Sequence, residues 1–134
     1  MPLLDLIAEQ AAHSRVCLAS FVDKRVSRVR SKWGRQTCLS AGKRAVTLQL
    51  VRSRGLPWPA PHAPVIQVPV RQFGVEIITP RFVQKCHNDG KHVHVWTINE
   101  PTEMERLLRL GVDGIVTDHP ERLRKVMEKL GVWV

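Results

Sequence analysis

Residues Val93 to Pro120 read VHVWTINEPTEMERLLRLGVDGIVTDHP, and this stretch decides the fold. Val93 to Ile98 is an apolar run rich in β-branched residues. Asn99 and Pro101 then open a helix that uses Met104, Leu107 and Leu108 and stops at Gly111. Val112 to Val116 is the next apolar run, and Thr117-Asp118-His119-Pro120-Glu121 opens a helix with Leu123, Val126, Met127 and Leu130, ended by Gly131. A polar cap, a proline in the first turn and a glycine past the last turn are the usual asymmetry of helix ends. Asp118 and Glu121 have the spacing of a capping box.

The same grammar occurs once more upstream, where Val75 to Ile78 precedes Thr79-Pro80 and a helix carrying Phe82, Val83 and Cys86 that stops at Gly90. Strand starts near residues 75, 93 and 112 are too far apart for hairpins and suit helical crossovers, so consecutive parallel β/α units are predicted. In such sheets ligands bind at the carboxyl ends of the strands, here Ser20-Phe21, Thr79, Trp96 to Asn99 and Thr117-Asp118.

Working back toward the start, the spacing predicts a helix over Leu3 to Ala12, a strand over Val16 to Phe21 and a helix from Asp23 to Trp33 stopped by Gly34. A weaker strand, Thr37 to Ala41, precedes a basic helix over Lys43 to Arg54 with Val46, Leu50 and Val51 as its apolar stripe. Gly55 to Pro64 contains four prolines and reads as an extended connection. Val65 to Val70 and Val75 to Ile78 both have strand composition, and only one of them need belong to the main sheet.

Composition narrows the function. With 134 residues the chain forms one modest domain and is too short for a complete eight-unit α/β barrel of roughly 250 residues. Its charge of +9 comes from 21 Lys and Arg against 12 Asp and Glu, and the whole excess lies between Phe21 and Arg54. On the Asp23 to Trp33 helix, Val26, Val29 and Trp33 take one face and Lys24, Arg25, Arg28 and Lys32 the others, the pattern of a solvated outer helix. Aromatic residues do not alternate with these charges, so a stacking platform for nucleic acid is lacking. No run has the roughly 18 apolar residues of a membrane span, and the start carries an acid where a signal peptide has basic residues, so a cytoplasmic protein is expected. Cys17, Cys38 and Cys86 form no paired motif and read as reduced, mostly buried hydrophobes.

Candidate chemistry is sparse. Trp96 stands at a strand end, where its ring can wall a pocket and its N–H can donate to a ligand oxygen. His92 and His94 share a strand face, a geometry that metal ligands use, but no carboxylate on that strand completes a set. His119 can titrate near neutral pH, with nothing in the sequence to bring a substrate within its reach, and Asp113 between Val112 and Gly114 reads as a turn acid. The chain has no G-x-S-x-G, no phosphate-binding P-loop and no G-x-G-x-x-G.

The segments Val93 to Pro101 and Leu107 to Pro120 closely resemble the V-x-V-W-T-x-N and G-V-D-G-I-x-T-D-x-P signatures of the glycerophosphodiester phosphodiesterase family. Val16 to Phe21 is similar to that family's S-F strand, and Thr79 to Gly90 to its helix before the tryptophan-bearing strand. The resemblance implies an α/β fold of the TIM-like (βα)8 class with parallel strands and outer helices. It also implies hydrolysis of glycerophosphodiesters to an alcohol and glycerol 3-phosphate in lipid and glycerol metabolism. Two histidines and a divalent metal, Ca²⁺ or Mg²⁺, carry that reaction in the family. Its H-R-G, E-x-D, H-D and E-x-K motifs are absent from this sequence. The chain is therefore expected to be the C-terminal part of one such domain over residues 1–134, about five β/α units, with the 55–64 segment as a proline-rich loop. Trp96 and Phe21 are the substrate-binding residues the resemblance implies. No catalytic residue and no metal ligand carries over, and inactivity of the chain alone is expected. Open sheet edges would favour self-association. The alternative is a non-enzymatic module that binds an anionic partner through the basic block over residues 21–54.

Overall fold

The computed structural model describes residues 2–133. Helix α1 (Pro2–Glu9) and a 3₁₀ turn at His13–Arg15 precede strand β1 (Cys17–Leu18), helix α2 (Asp23–Trp33), strand β2 (Cys38–Leu39), helix α3 (Lys43–Ser53) and strand β3 (Val65–Val68). Strands β4 (Arg71–Gln72) and β5 (Val75–Glu76) follow, then helix α4 (Pro80–Asn88), strand β6 (His92–Val95), helix α5 (Pro101–Leu110), strand β7 (Gly114–Ile115) and helix α6 (Pro120–Leu130).

The main strands are parallel. β1 pairs with β2, β3 with β6, and β6 with β7, and a parallel bridge from Ser40 to Val65 brings the two sheets edge to edge in the order β1-β2-β3-β6-β7. β3 and β6 run side by side from Val65↔His92 to Val68↔Val95 and form the centre of the core. Ile66, Val68, Val93 and Val95 are fully enclosed, and Phe82, Cys86, Met104 and Leu107 from α4 and α5 close over them. A second, smaller cluster joins Leu4 and Ile7 of α1 to Val29 and Trp33 of α2 and Leu39 of β2.

One unit differs from the sequence expectation. Val75 to Ile78 does not join the parallel sheet. Phe73 and Gly74, both at positive φ, make a two-residue turn that pairs β5 with β4 in an antiparallel hairpin, Arg71↔Glu76 and Gln72↔Val75. The parallel strand before α4 is therefore Val65–Val68. Two caps also differ. Thr79 caps α4 as expected, accepting from the Phe82 N–H at 3.2 Å, but α5 and α6 begin from Glu100 and His119 without a side-chain cap. The capping box from Asp118 to Glu121 does not form: α6 starts from His119, and the Asp118 carboxylate accepts from Asn99.

Charged side chains join the outer helices. Asp89 at the end of α4 accepts from Gln49 at 2.9 Å, from Arg52 at 2.9 Å and from Lys85, tying α3 to α4. Burial opposes its ionisation, yet these donors together hold its carboxyl below the ordinary value. Buried Lys91 donates to the carbonyls of Pro61 and Ala63, which fastens the proline-rich segment to the start of β6. No described helix is long and apolar enough to cross a membrane.

Candidate functional site

A cavity of about 700 Å³ opens at the carboxyl ends of β1, β2, β3 and β6. Ser20 and Phe21 follow β1, Ser40 and Ala41 follow β2, Pro69 follows β3 and Trp96 follows β6. The backbone dictates this placement, since parallel strands deliver all their following connections to one side. The hairpin of β4 and β5 forms the remaining wall, with Phe73 at its tip 95 % exposed.

Phe21 and Trp96 meet across this cavity edge to face, with ring centroids 5.6 Å apart and planes at 67°. Trp96 is half-buried, and its indole N–H has no acceptor among the described residues. Both aromatic residues singled out in the sequence are thus brought to one place.

The polar lining is cationic. Arg25 from α2, Lys43 from the first turn of α3 and Arg54 after α3 line the cavity, no Asp or Glu does, and none of the three forms an ion pair among the described residues. The basic block is therefore not wholly an outer solvated surface: Arg25 and Lys43 turn toward the carboxyl ends while Lys24, Arg28 and Lys32 stay away from them. Periodicity could not reveal this, because it depends on how α2 and α3 sit on the strands.

Such a lining does not fit a divalent cation, which needs several oxygen ligands of net negative charge. No group of three or more His, Cys, Asp or Glu able to hold a metal occurs among the described residues. None of the six histidines lines the cavity. His94 is half-buried, its Nδ1 3.3 Å from the Gln67 amide, and burial lowers its basicity. His119 lies 3.5 Å from Glu121, away from the cavity lining.

Of the signature acids, Asp113 holds backbone and Asp118 accepts from the Asn99 side chain. Asp113 sits at the opposite, amino end of the sheet, where it accepts from the Val93 N–H at 2.7 Å and lies 2.9 Å from His87 Nε2. Burial raises its pKa, but the Val93 N–H and His87 outweigh that and leave it below the ordinary value. Asn99 carries a role the sequence reading missed. Its Oδ1 accepts from the Thr117 hydroxyl and the Asp118 N–H, each at 3.0 Å, and its Nδ2 donates to Asp118 Oδ2 at 2.9 Å. The two signature segments are thereby joined beside the mouth. Their shared polar character was the available clue. Gly114 is fixed by contact, since a Cβ there would stand 2.8 Å from the His94 ring.

Cys86 is buried, and its desolvation pushes the thiol up to about 12. Cys38 is half-buried, whereas Cys17 is exposed at the free edge of β1 and departs from the buried role read from composition.

Comparison with known proteins places these features. The sequence profile of the "Glycerophosphoryl diester phosphodiesterase family" matches residues 3–122. A protein of Mycobacterium tuberculosis described as "Probable glycerophosphodiester phosphodiesterase 2" is 36% identical over 98% of this chain and 52% of its own length. The crystal structure of a glycerophosphodiester phosphodiesterase from Parabacteroides distasonis matches 96% of this chain and 49% of its own, with TM-score 0.73 and 19% identity. A crystal structure from Silicibacter pomeroyi matches 96% of this chain and 43% of its own, with TM-score 0.74 and 22% identity. The chain spans about half the length of these proteins, and its parallel β/α array takes the TIM-like barrel class with them. The agreement runs through nearly all of the chain in sequence and in fold, and the chain belongs to the glycerophosphoryl diester phosphodiesterase family.

Proposed function

We propose that these residues form the substrate-binding side of a glycerophosphodiester phosphodiesterase, the C-terminal β/α units of a TIM-like barrel that hydrolyses glycerophosphodiesters to an alcohol and glycerol 3-phosphate. The observation that carries this reading is the edge-to-face pair of Phe21 and Trp96 over a cavity at the strand carboxyl ends. The aromatic pair supplies an apolar wall for the carbon skeleton, and Trp96 supplies a donor for an ester or hydroxyl oxygen. The cationic lining attracts the phosphodiester.

Hydrolysis needs an acid–base pair and, in this family, a divalent metal. The cavity lining offers neither a histidine nor a carboxylate, so the polypeptide of 134 residues binds substrate without cleaving it. The test follows the Trp96 indole N–H resonance, assigned by Trp96→Phe, during titration with glycerophosphocholine. A saturable shift of that resonance supports the reading. An unmoved resonance, or binding unchanged in Trp96→Phe, overturns it. The basic-block module is distinguished by the same protein: it would bind DNA, RNA or anionic vesicles with steep salt dependence through Lys24, Arg28 and Lys32, residues outside the cavity.

A further inference from the structure

Two of the three cysteines stand together, outside the residues that line the cavity. Cys17 of β1 and Cys38 of β2 are register partners in a parallel pair, as are Leu18 and Leu39. Leu39 is buried and Leu18 packs with it against the cluster of Val29 and Trp33, so the two leucines face the outer helices. Side chains alternate along a strand, and partners on neighbouring strands point to the same face. Both thiols therefore project from the opposite, inner face of the sheet. Ala19 and Ser40, two residues further along, line the cavity, which places the thiol pair one step below its floor.

The geometry suits a covalent link. Parallel neighbours in register stand about 4.8 Å apart, inside the roughly 4.4–6.8 Å between Cα atoms that a disulfide spans. A second observation shows that the side chains themselves are neighbours. Partial desolvation pushes the Cys17 thiol up to about 12, and the Cys38 thiol beside it adds to the rise. Cys17 is exposed and Cys38 half-buried, so a reagent in solution meets Cys17 first, with Cys38 behind it. Cys86 is enclosed in the larger core cluster, among Phe82 and Val93, and takes no part.

We propose that Cys17 and Cys38 form a redox-active dithiol, which a low-molecular-weight disulfide converts reversibly into a disulfide between β1 and β2. Cys17, as its thiolate, attacks one sulfur of the reagent RSSR. The S–S bond of the reagent breaks, Cys17 is left as a mixed disulfide, and the departing RS⁻ takes up the proton that Cys17 gave. Cys38, deprotonated in its turn, attacks the Cys17 sulfur, closes the Cys17–Cys38 bond and expels the second RS⁻, which takes up the Cys38 proton. Two cysteine thiols lose two electrons, and one RSSR is reduced to two RSH. Excess reducing dithiol runs the sequence backward, as for thiol pairs that sense redox conditions. Because the Cys17 thiol is rarely ionised at neutral pH, the first step is slow there and quickens as the pH rises.

The experiment incubates the reduced 134-residue protein with excess oxidised glutathione at mildly alkaline pH, quenches with acid, and reads the intact mass and the peptides of a proteolytic digest. The expected product is a single chain lighter by two hydrogen atoms, with a Cys17–Cys38 cross-link and a free Cys86, returned to its starting mass by dithiothreitol. Cys38→Ser lacks the resolving thiol, so the glutathione adduct on Cys17 accumulates about tenfold above its level in the parent. Cys17→Ser forms no cross-link. A lasting glutathione adduct on Cys17 of the parent, or a link from Cys17 to a second chain or to Cys86, would overturn the pair. So would both thiols remaining free in the folded protein under conditions that oxidise the urea-unfolded chain. The result is independent of whether the cavity binds a glycerophosphodiester.

Discussion

Phe21 and Trp96 touch edge to face although the strands that deliver them, β1 and β6, are separated by two others. Neighbouring strands lie about 4.8 Å apart, so in a flat sheet those two would stand about 14 Å from each other. Ring centroids 5.6 Å apart are reached because the connections after β1 and β6 bring the two side chains toward each other at the cavity.

Asn99 is the clamp between the connections after β6 and β7. Asn99→Ala removes three hydrogen bonds to Thr117 and Asp118 and destabilises the fold by about 1–3 kcal/mol in urea unfolding, from the polar groups left behind. Asn99→Asp costs at least as much at neutral pH, because it sets a carboxylate beside Asp118, and it recovers when the pH falls below the carboxylate range. Full stability of Asn99→Ala would contradict the clamp.

Gly114 faces the His94 ring with no room for a methyl group. Gly114→Ala is expected to cost about 1–3 kcal/mol through forced displacement of that ring or of β7. In a His94→Ala background the same substitution becomes nearly neutral. A double-mutant cycle with no coupling would show that Gly114 is held by something else.

Asp89 makes the α3–α4 contact sensitive to acid. Its carboxyl is depressed in the folded state, so its contribution is complete above the unfolded value of 3.8 and is lost as pH falls through the folded value. Asp89→Asn leaves Arg52 without its partner, lowers stability by about 3 kcal/mol at pH 7 and flattens the acid limb of a stability profile. An unchanged limb would contradict the assignment.

Much of this architecture was legible in the chain. The α2 bounds follow from Val26, Val29 and Trp33 with Gly34 behind them, and the α4 start follows from Thr79-Pro80. Val75 to Ile78 misled because its β-branched content suits a hairpin as well as a parallel strand, and the choice rests on Phe73 and Gly74 adopting positive φ. The placement of Trp96 and Phe21 at one mouth followed from parallel topology. The cationic lining did not, since Arg25 and Lys43 look like ordinary surface charges until α2 and α3 are docked at the strand ends. Asn99 was read as a helix cap; its partner across β6 and β7 is not visible in a one-dimensional pattern.

On the proposed reading, these residues bind a glycerophosphodiester at the aromatic mouth without cleaving it. The most direct test incubates the 134-residue protein with glycerophosphocholine and Ca²⁺ or Mg²⁺, measuring both glycerol 3-phosphate release and the Trp96 indole shift. Saturable movement of Trp96 with no release above the protein-free control is the predicted result. Release of glycerol 3-phosphate that scales with protein concentration and is lost in Trp96→Ala would contradict it.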